Sequence, residues 1–346
     1  MHVSRNFTVA LPWFYRRMLA KARMRLWILR ETHPNVARFL FFLVRGAPPS
    51  DKLRTDVERS TPPLGKAPSV DFADPSDNLA LALAEYAAGS LRLKSTPPTM
   101  TVESSSWCNL RCVMCPHAIN DVHRPKHIET ELVERLEKFI RQSKSIKLHG
   151  IGEPLASRAF WYNLSLLPTE GHSEVNTNFT LLDEQKLKGL VDSRLKLVNV
   201  SLDAARSETY RKIRGYSFEK VIDNVRRFLA ERNAHGKKFP LLYMNMTLMR
   251  SNIEEVTEFI ELAASLGADA VFFGHLNRWT EREMRRYIID RDGWVFDYAK
   301  EGLWNFPALS DEHLRKAEQL ARERGIPLHF DANKQVFFDE EQLPHV

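Results

Sequence analysis

From residue 99 onward, short apolar runs of strand length alternate with longer segments in which apolar residues recur at helical spacing. Strands are predicted at 100–105, 145–149, 173–178, 197–202, 242–248 and 270–274. Helices are predicted between them, at 129–142, 183–191, 218–232 and 253–266, with a weaker crossover at 155–168. On the third of these helices Val221, Val225, Phe228 and Leu229 share one face. On the fourth, Val256, Phe259, Ile260 and Ala263 do the same. Strands joined by helical crossovers make a parallel sheet covered by helices. Six such units form an incomplete barrel, and a doubly wound open sheet has the same local pattern, so periodicity alone leaves both open.

The flanks read differently. Residues 1–46 carry nine Lys or Arg and a single acid, Glu31, around two predicted helices parted near Pro34. The apolar run from Val36 to Val44, flanked by Arg38 and Arg45, suits either a helical cap packed on the main domain or a segment lying on a membrane surface. Residues 47–96 read as a Pro-rich linker or wrap, with Pro48, Pro49, Pro62, Pro63, Pro68 and Pro75 and a short helix at 79–86. The core is expected over 97–277. A C-terminal extension follows over 278–346: a solvated helix around Arg278–Arg286, an insertion at 294–304 near the site, a helix at 312–324 and a strand at 327–330.

Composition narrows the classes. The 346 residues are 43% hydrophobic and 27% charged, which suits a folded protein rather than a disordered one. A formal charge of +6 over this length is mild and makes nucleic acid an unlikely partner. No continuous apolar stretch reaches the ~18–20 residues of a spanning helix. Arg16, Arg17, Lys21, Arg23 and Arg25 interrupt any signal-peptide core.

All three cysteines fall within eight residues, directly after the first core strand: Cys108, Cys112 and Cys115. No distant cysteine exists to build a disulfide framework, so the cluster reads as a metal site in a reducing, cytoplasmic setting. Three thiolates from one loop can hold a four-iron cube and leave one iron free for the amino and carboxylate groups of a methionine moiety. The competing readings are buried, unliganded cysteines and a zinc site. Zinc wants a fourth ligand, for which only His117 and His123 are near.

The spacing C-x3-C-x2-C, within WCNLRCVMC at 107–115, resembles the radical S-adenosylmethionine (SAM) superfamily, in particular the core of its SPASM/twitch subgroup. The resemblance implies an α/β fold, a partial (β/α)6 barrel with a basic helical N-terminal extension. It also implies a [4Fe–4S] cluster on the three cysteines, with SAM as the second cofactor. Met114 stands where the family packs an apolar residue near adenine. His149-Gly150-Ile151-Gly152-Glu153-Pro154 resembles the GGEP segment, in which Gly150 and Gly152 allow close approach and Glu153 faces the ammonium of SAM. Asn176-Thr177-Asn178 resembles TNG, with Phe179 in place of the glycine and Asn178 toward a ribose hydroxyl. Ser201-Leu202-Asp203-Ala204, Glu208-Thr209-Tyr210 and Ile213-Arg214-Gly215 resemble the fourth-strand pattern. There Ser201 is expected at ribose or the SAM carboxylate, Asp203 at ribose or as a residue that only orders the loop, and Arg214 at the SAM carboxylate. Asn245, Gly274 and His275 complete the expected cofactor contacts; His275 and Asn277 are alternatively substrate contacts.

No cysteine follows Cys115, so the subgroup's auxiliary clusters and a cysteine hydrogen donor are not expected; Tyr210 and Tyr243 are the tyrosine alternatives. The resemblance implies cleavage of SAM to a 5′-deoxyadenosyl radical, driven by an external reductant such as flavodoxin or ferredoxin. Hydrogen abstraction from a small polar metabolite, a nucleotide or sugar derivative, follows in a biosynthetic pathway. Elimination, dehydration, decarboxylation, rearrangement or radical addition are the reactions open to such a site. The alternatives are modification of a ribosomal peptide, of a lipid precursor at a membrane through 1–46, or a SAM-binding iron–sulfur scaffold without turnover.

Overall fold

A computed structural model describes residues 75–119 and 124–331. The basic segment 1–46, the linker up to residue 74, His123 and the tail from 332 lie outside the described residues. Residues 75–98 and those from 99 onward belong to separate compact units. In the first, helix α1 (Pro75–Ala87) is tied to the strand-like segment behind it. Buried Asn78 exchanges hydrogen bonds with the backbone of Thr96, and Glu85 accepts from the Lys94 and Ser95 amides.

The second unit is a seven-stranded sheet. Its strands are β1 (Thr99–Thr101), β2 (Ser145–Lys147), β3 (His172–Thr177), β4 (Leu197–Ser201), β5 (Leu241–Leu248) and β6 (Ala270–His275), which pair in sequence order and all in parallel. The crossovers carry α2 (Thr130–Gln142), α3 (Arg158–Leu166), α4 (Glu184–Asp192), α5 (Ser207–Arg214), α6 (Phe218–Ala234) and α7 (Val256–Leu266). Strictly sequential order decides between the two topologies. A doubly wound sheet reverses direction at a switch point, whereas a singly wound one places every helix on one face and curls toward a barrel. The sheet stays open, with β1 at one edge.

The C-terminal extension supplies α8 (Glu281–Met284), a hairpin of β7 (Ile288–Arg291) and β8 (Trp294–Asp297), α9 (Tyr298–Glu301), α10 (Pro307–Arg324) and β9 (Leu328–Phe330). Strand β9 adds to β6 as the seventh and last strand. The helix expected across 278–286 is a single turn closed by a Thr280–Glu283 capping box. The chain then turns at Asp292-Gly293, both at positive φ (54° and 80°), as a two-residue hairpin loop requires.

The two faces of the sheet differ. Ile146, Leu148, Val175, Val198, Val200, Leu242, Met244, Met246, Val271 and Phe273 point to the helices and are fully buried against Ile140, Phe160, Phe228 and Phe259. The alternate residues face the concave side: Lys147, Glu174, Asn176, Asn199, Ser201, Tyr243, Asn245 and Thr247. There Asn199 Nδ2 donates to Asn176 Oδ1 at 2.9 Å, and Tyr243 stacks on His329 with ring centroids 5.3 Å apart.

Glu174 on this face meets Lys147 at 3.1 Å and His172 at 2.8 Å. Burial alone would raise its carboxyl, but the hydrogen bonds from His172 and Lys147 and the Lys147 charge outweigh that and hold it at about 2, against an ordinary 4.5. A depressed carboxylate stabilises the fold above its unfolded value and loses that contribution as pH falls through the folded one. Glu174→Gln is therefore expected to cost about 1–2 kcal/mol at pH 7, allowing for the half-exposed partners. In denaturant titrations across pH, the difference from wild type should close between pH 4.5 and about 2.

Candidate functional site

The cysteine loop leaves β1 pinned to its surroundings by backbone bonds. Ile128 N donates to Ser104 O at 3.0 Å and Ser106 N to Lys126 O at 2.9 Å. Its far side is joined to β2. Glu153 N donates to Trp107 O at 2.8 Å, and a Cβ at Gly152 would stand 2.2 Å from Ser105 O and 2.5 Å from Trp107 O. Only glycine permits that approach. A Cβ at Gly150 would meet the Glu103 side chain, whose carboxylate accepts from Ile151 N. The two glycines thus seat the β2 turn against the cysteine loop.

Burial pushes the Cys108 and Cys115 thiols up to about 11, and raises that of fully buried Cys112 against the pull of Arg214. Two side-chain donors point at sulfur: Asn178 Nδ2 lies 3.7 Å from Cys108 Sγ and Arg214 Nη1 3.6 Å from Cys112 Sγ. Soft ligands on one loop, with N–H groups directed at their sulfurs, are a donor set suited to an iron–sulfur cluster. Among the described residues no three Cys, His, Asp or Glu side chains converge on a single-ion site, and a cube takes its thiolates at separate corners. His117 is buried.

Arg214 ends α5, which Gly215 terminates at φ 70°. Its Nη2 lies 2.6 Å from Asp203 Oδ2, and both groups are buried. Asp203 has φ 64° and accepts from Thr247 N at 2.7 Å; Asn252 Nδ2 donates to Asp203 O at 2.8 Å. The expected carboxylate-binding arginine thus stands between Asp203 and Cys112, with its Nε lacking a protein acceptor. That donor suits an added anionic group.

Glu153 departs from expectation. Instead of an open carboxylate, it is turned inward, 2% exposed, and accepts from Leu155 N at 3.0 Å, Thr177 Oγ1 at 2.6 Å and Asn178 N at 2.8 Å. Burial raises its carboxyl against these three donors. Phe179 departs the other way: it adopts φ 59°, the conformation glycine favours. It holds it by packing edge-on against Phe228, centroids 5.7 Å apart, and by accepting from Asn224 Nδ2 at 2.9 Å.

Ser201, at the carboxyl end of β4, and Asn245, inside β5, are register partners, half-buried on the concave face. Gly274 and His275 close β6, and Asp331 accepts from the His275 amide at 2.9 Å. Met114, like Trp294 and Trp304 of the extension, packs against a small buried cluster that includes Val113 and Phe296. The two tyrosines separate. Tyr210 is 0% exposed in the main core, whereas Tyr243 lies half-buried on the concave face. Asn109, Thr180 and Arg291 were not anticipated. Asn178 Nδ2 donates to Asn109 Oδ1 at 3.0 Å, and Asn109 Nδ2 to Thr180 Oγ1 at 2.8 Å. Gly152→Ala should force the two loops apart at a cost of about 1–3 kcal/mol, read as a lowered melting temperature together with reduced iron loading.

The sequence profile of the radical SAM superfamily matches residues 102–263. The AdoMet-dependent heme synthase of Methanosarcina barkeri is 29% identical over 252 residues, covering 69% of each chain. A probable GTP 3′,8-cyclase of Methanocaldococcus jannaschii is 27% identical over 177 residues, covering 49% of this chain. The chain spans 56% of that relative's length. Among solved structures, SuiB of Streptococcus suis superposes with a TM-score of 0.54 at 16% identity, over 94% of this chain and 69% of SuiB. Among the described residues no helix is long and apolar enough to cross a membrane. With the cysteine loop, its seat and the partial barrel all in place, residues 102–263 of the chain match the radical SAM superfamily, whose cofactors are a [4Fe–4S] cluster and SAM.

Proposed function

We propose that this radical SAM enzyme holds its cluster through Cys108, Cys112 and Cys115 and acts on a small polar metabolite within the curve of the sheet. The observation that carries the substrate class is the concave face. A covered parallel sheet is ordinarily apolar on both sides. Here the inner face presents half-buried Glu174, Asn176, Ser201, Tyr243 and Asn245, with Asn199 buried among them and Lys147 exposed, polar groups that a hydrogen-bonding ligand can satisfy. A nucleotide or sugar derivative matches that lining.

When bound, the cluster and SAM supply one-electron cleavage of a carbon–sulfur bond and a carbon radical that removes hydrogen from substrate. An external reductant supplies the electron. The chain's own residues orient. Asn178 and Arg214 direct N–H groups at two of the sulfurs, and Arg214 also offers its Nε to the SAM carboxylate. Ser201, which ends β4, and its β5 partner Asn245 are where the ribose is expected, with Met114 toward adenine. Gly150, Gly152 and Glu153 shape the turn that supports them; Gly274 and His275 bound the opposite side. Tyr243 is the hydrogen donor best placed toward substrate.

Anaerobic reconstitution with SAM and dithionite should yield 5′-deoxyadenosine. Addition of deuterated nucleotides or sugar derivatives should carry deuterium into it. Stimulation by a peptide alone, with no response to any polar metabolite, would overturn the substrate class. A loaded cluster that never cleaves SAM, with or without these compounds, would make the protein a scaffold.

Cys112→Ala should lose most iron loading and all SAM cleavage, read by iron analysis and product chromatography. Asn176→Ala removes a concave-face amide remote from the cysteines. It should raise KM for the substrate roughly tenfold while leaving substrate-free SAM cleavage near wild type.

A further inference from the structure

The cysteine loop is not held by the main core. Val113, between Cys112 and Met114, is wholly buried in a second, smaller core with Ile213, Met249, Phe296 and Tyr298. The aromatic part of that core comes from the C-terminal extension. The polar side of the same junction is Arg291, the last residue of β7. Its Nη1 donates to Lys212 O and Ile213 O, each at 3.0 Å, and its Nη2 donates to Arg111 O. Val113 N donates to Ile213 O at 3.0 Å, closing the link from the other direction. One guanidinium therefore ties the cysteine loop to the last turn of α5, where unsatisfied carbonyls gather negative partial charge. The fit is tight, since a Cβ at Gly215 would stand 3.1 Å from Arg291 Nη1.

We propose that Arg291 is a positioning residue for the iron–sulfur cluster, clamping the loop at 111–113 and placing a second guanidinium, after Arg214, beside Cys112. The inference rests on the three cysteines being the cluster ligands. A lysine at this position would keep the charge but not the planar fork that reaches three carbonyls. A glutamine would lose the charge. A cation near the cluster favours its reduced, more negative state, so the two substitutions separate the clamp from the field.

The test compares full-length wild type, Arg291→Lys, Arg291→Gln and Arg111→Ala after anaerobic reconstitution. The readouts are iron and sulfide per chain, the rate at which a chelator strips iron, and the midpoint potential from a titration followed by electron paramagnetic resonance. Both Arg291 variants should lose iron roughly tenfold faster than wild type. The potential should move to more negative values in Arg291→Gln and stay near wild type in Arg291→Lys. Arg111→Ala, whose backbone carbonyl remains, should match wild type in loss rate. Wild-type loss rates in both Arg291 variants would overturn the clamp. Faster loss with an unmoved potential in Arg291→Gln would overturn the electrostatic part. Wild type that takes up no four-iron cluster would instead refute the cysteine assignment itself.

Discussion

A guanidinium buried against a carboxylate, next to a thiol, is the constraint on which the site depends. Arg214 and Asp203 come from different elements, the end of α5 and the loop after β4. Asp203 fixes the loop after β5 through Thr247 and Asn252, while Arg214 reaches the cysteine loop at Cys112. Taking both charges out of water is costly, and removing one partner from such a pair costs about 3–5 kcal/mol because the other is left uncompensated. The pair therefore holds three loops to one geometry. Asp203 and Phe179, following β4 and β3, both sit at positive φ, about 1–2 kcal/mol each for residues with a Cβ. That strain is stored where the strand ends present their side chains.

The second organising feature is the asymmetry of the sheet. Helices on a single side leave the other side of every strand without an apolar cover, and the sequence answers with amides, hydroxyls and charges at alternate positions. Asn176–Asn199 and Lys147–Glu174–His172 satisfy one another in part. The same arithmetic that makes the convex face a core makes the concave face a binding surface.

Most of the barrel was legible from periodicity, because long amphipathic helices and short apolar strands announce themselves: α6 and α7 bury the very faces expected of them. The choice between an open doubly wound sheet and a partial barrel was not, since strand order is a property of the assembled chain. The cysteine loop was legible from spacing and Gly152 from its motif, though Gly152 is needed for contact with Ser105 and Trp107. The inward hydrogen bonds of Glu153 were not legible, because a motif gives a residue's position along the chain and not the direction of its side chain. The hairpin after residue 287 did have a signal, Asp-Gly between short apolar runs. Arg291 had none: its three acceptors are backbone carbonyls far away in sequence.

The division of apolar contacts into a large core under the sheet and a small aromatic one beneath the cysteine loop has a consequence for local opening. Packing units with separate memberships can melt separately, the smaller at lower free energy. Opening of the small core would then loosen Val113, Phe296 and their neighbours while the barrel stands. The cysteine loop can thus change its packing without the chain passing through the unfolded state.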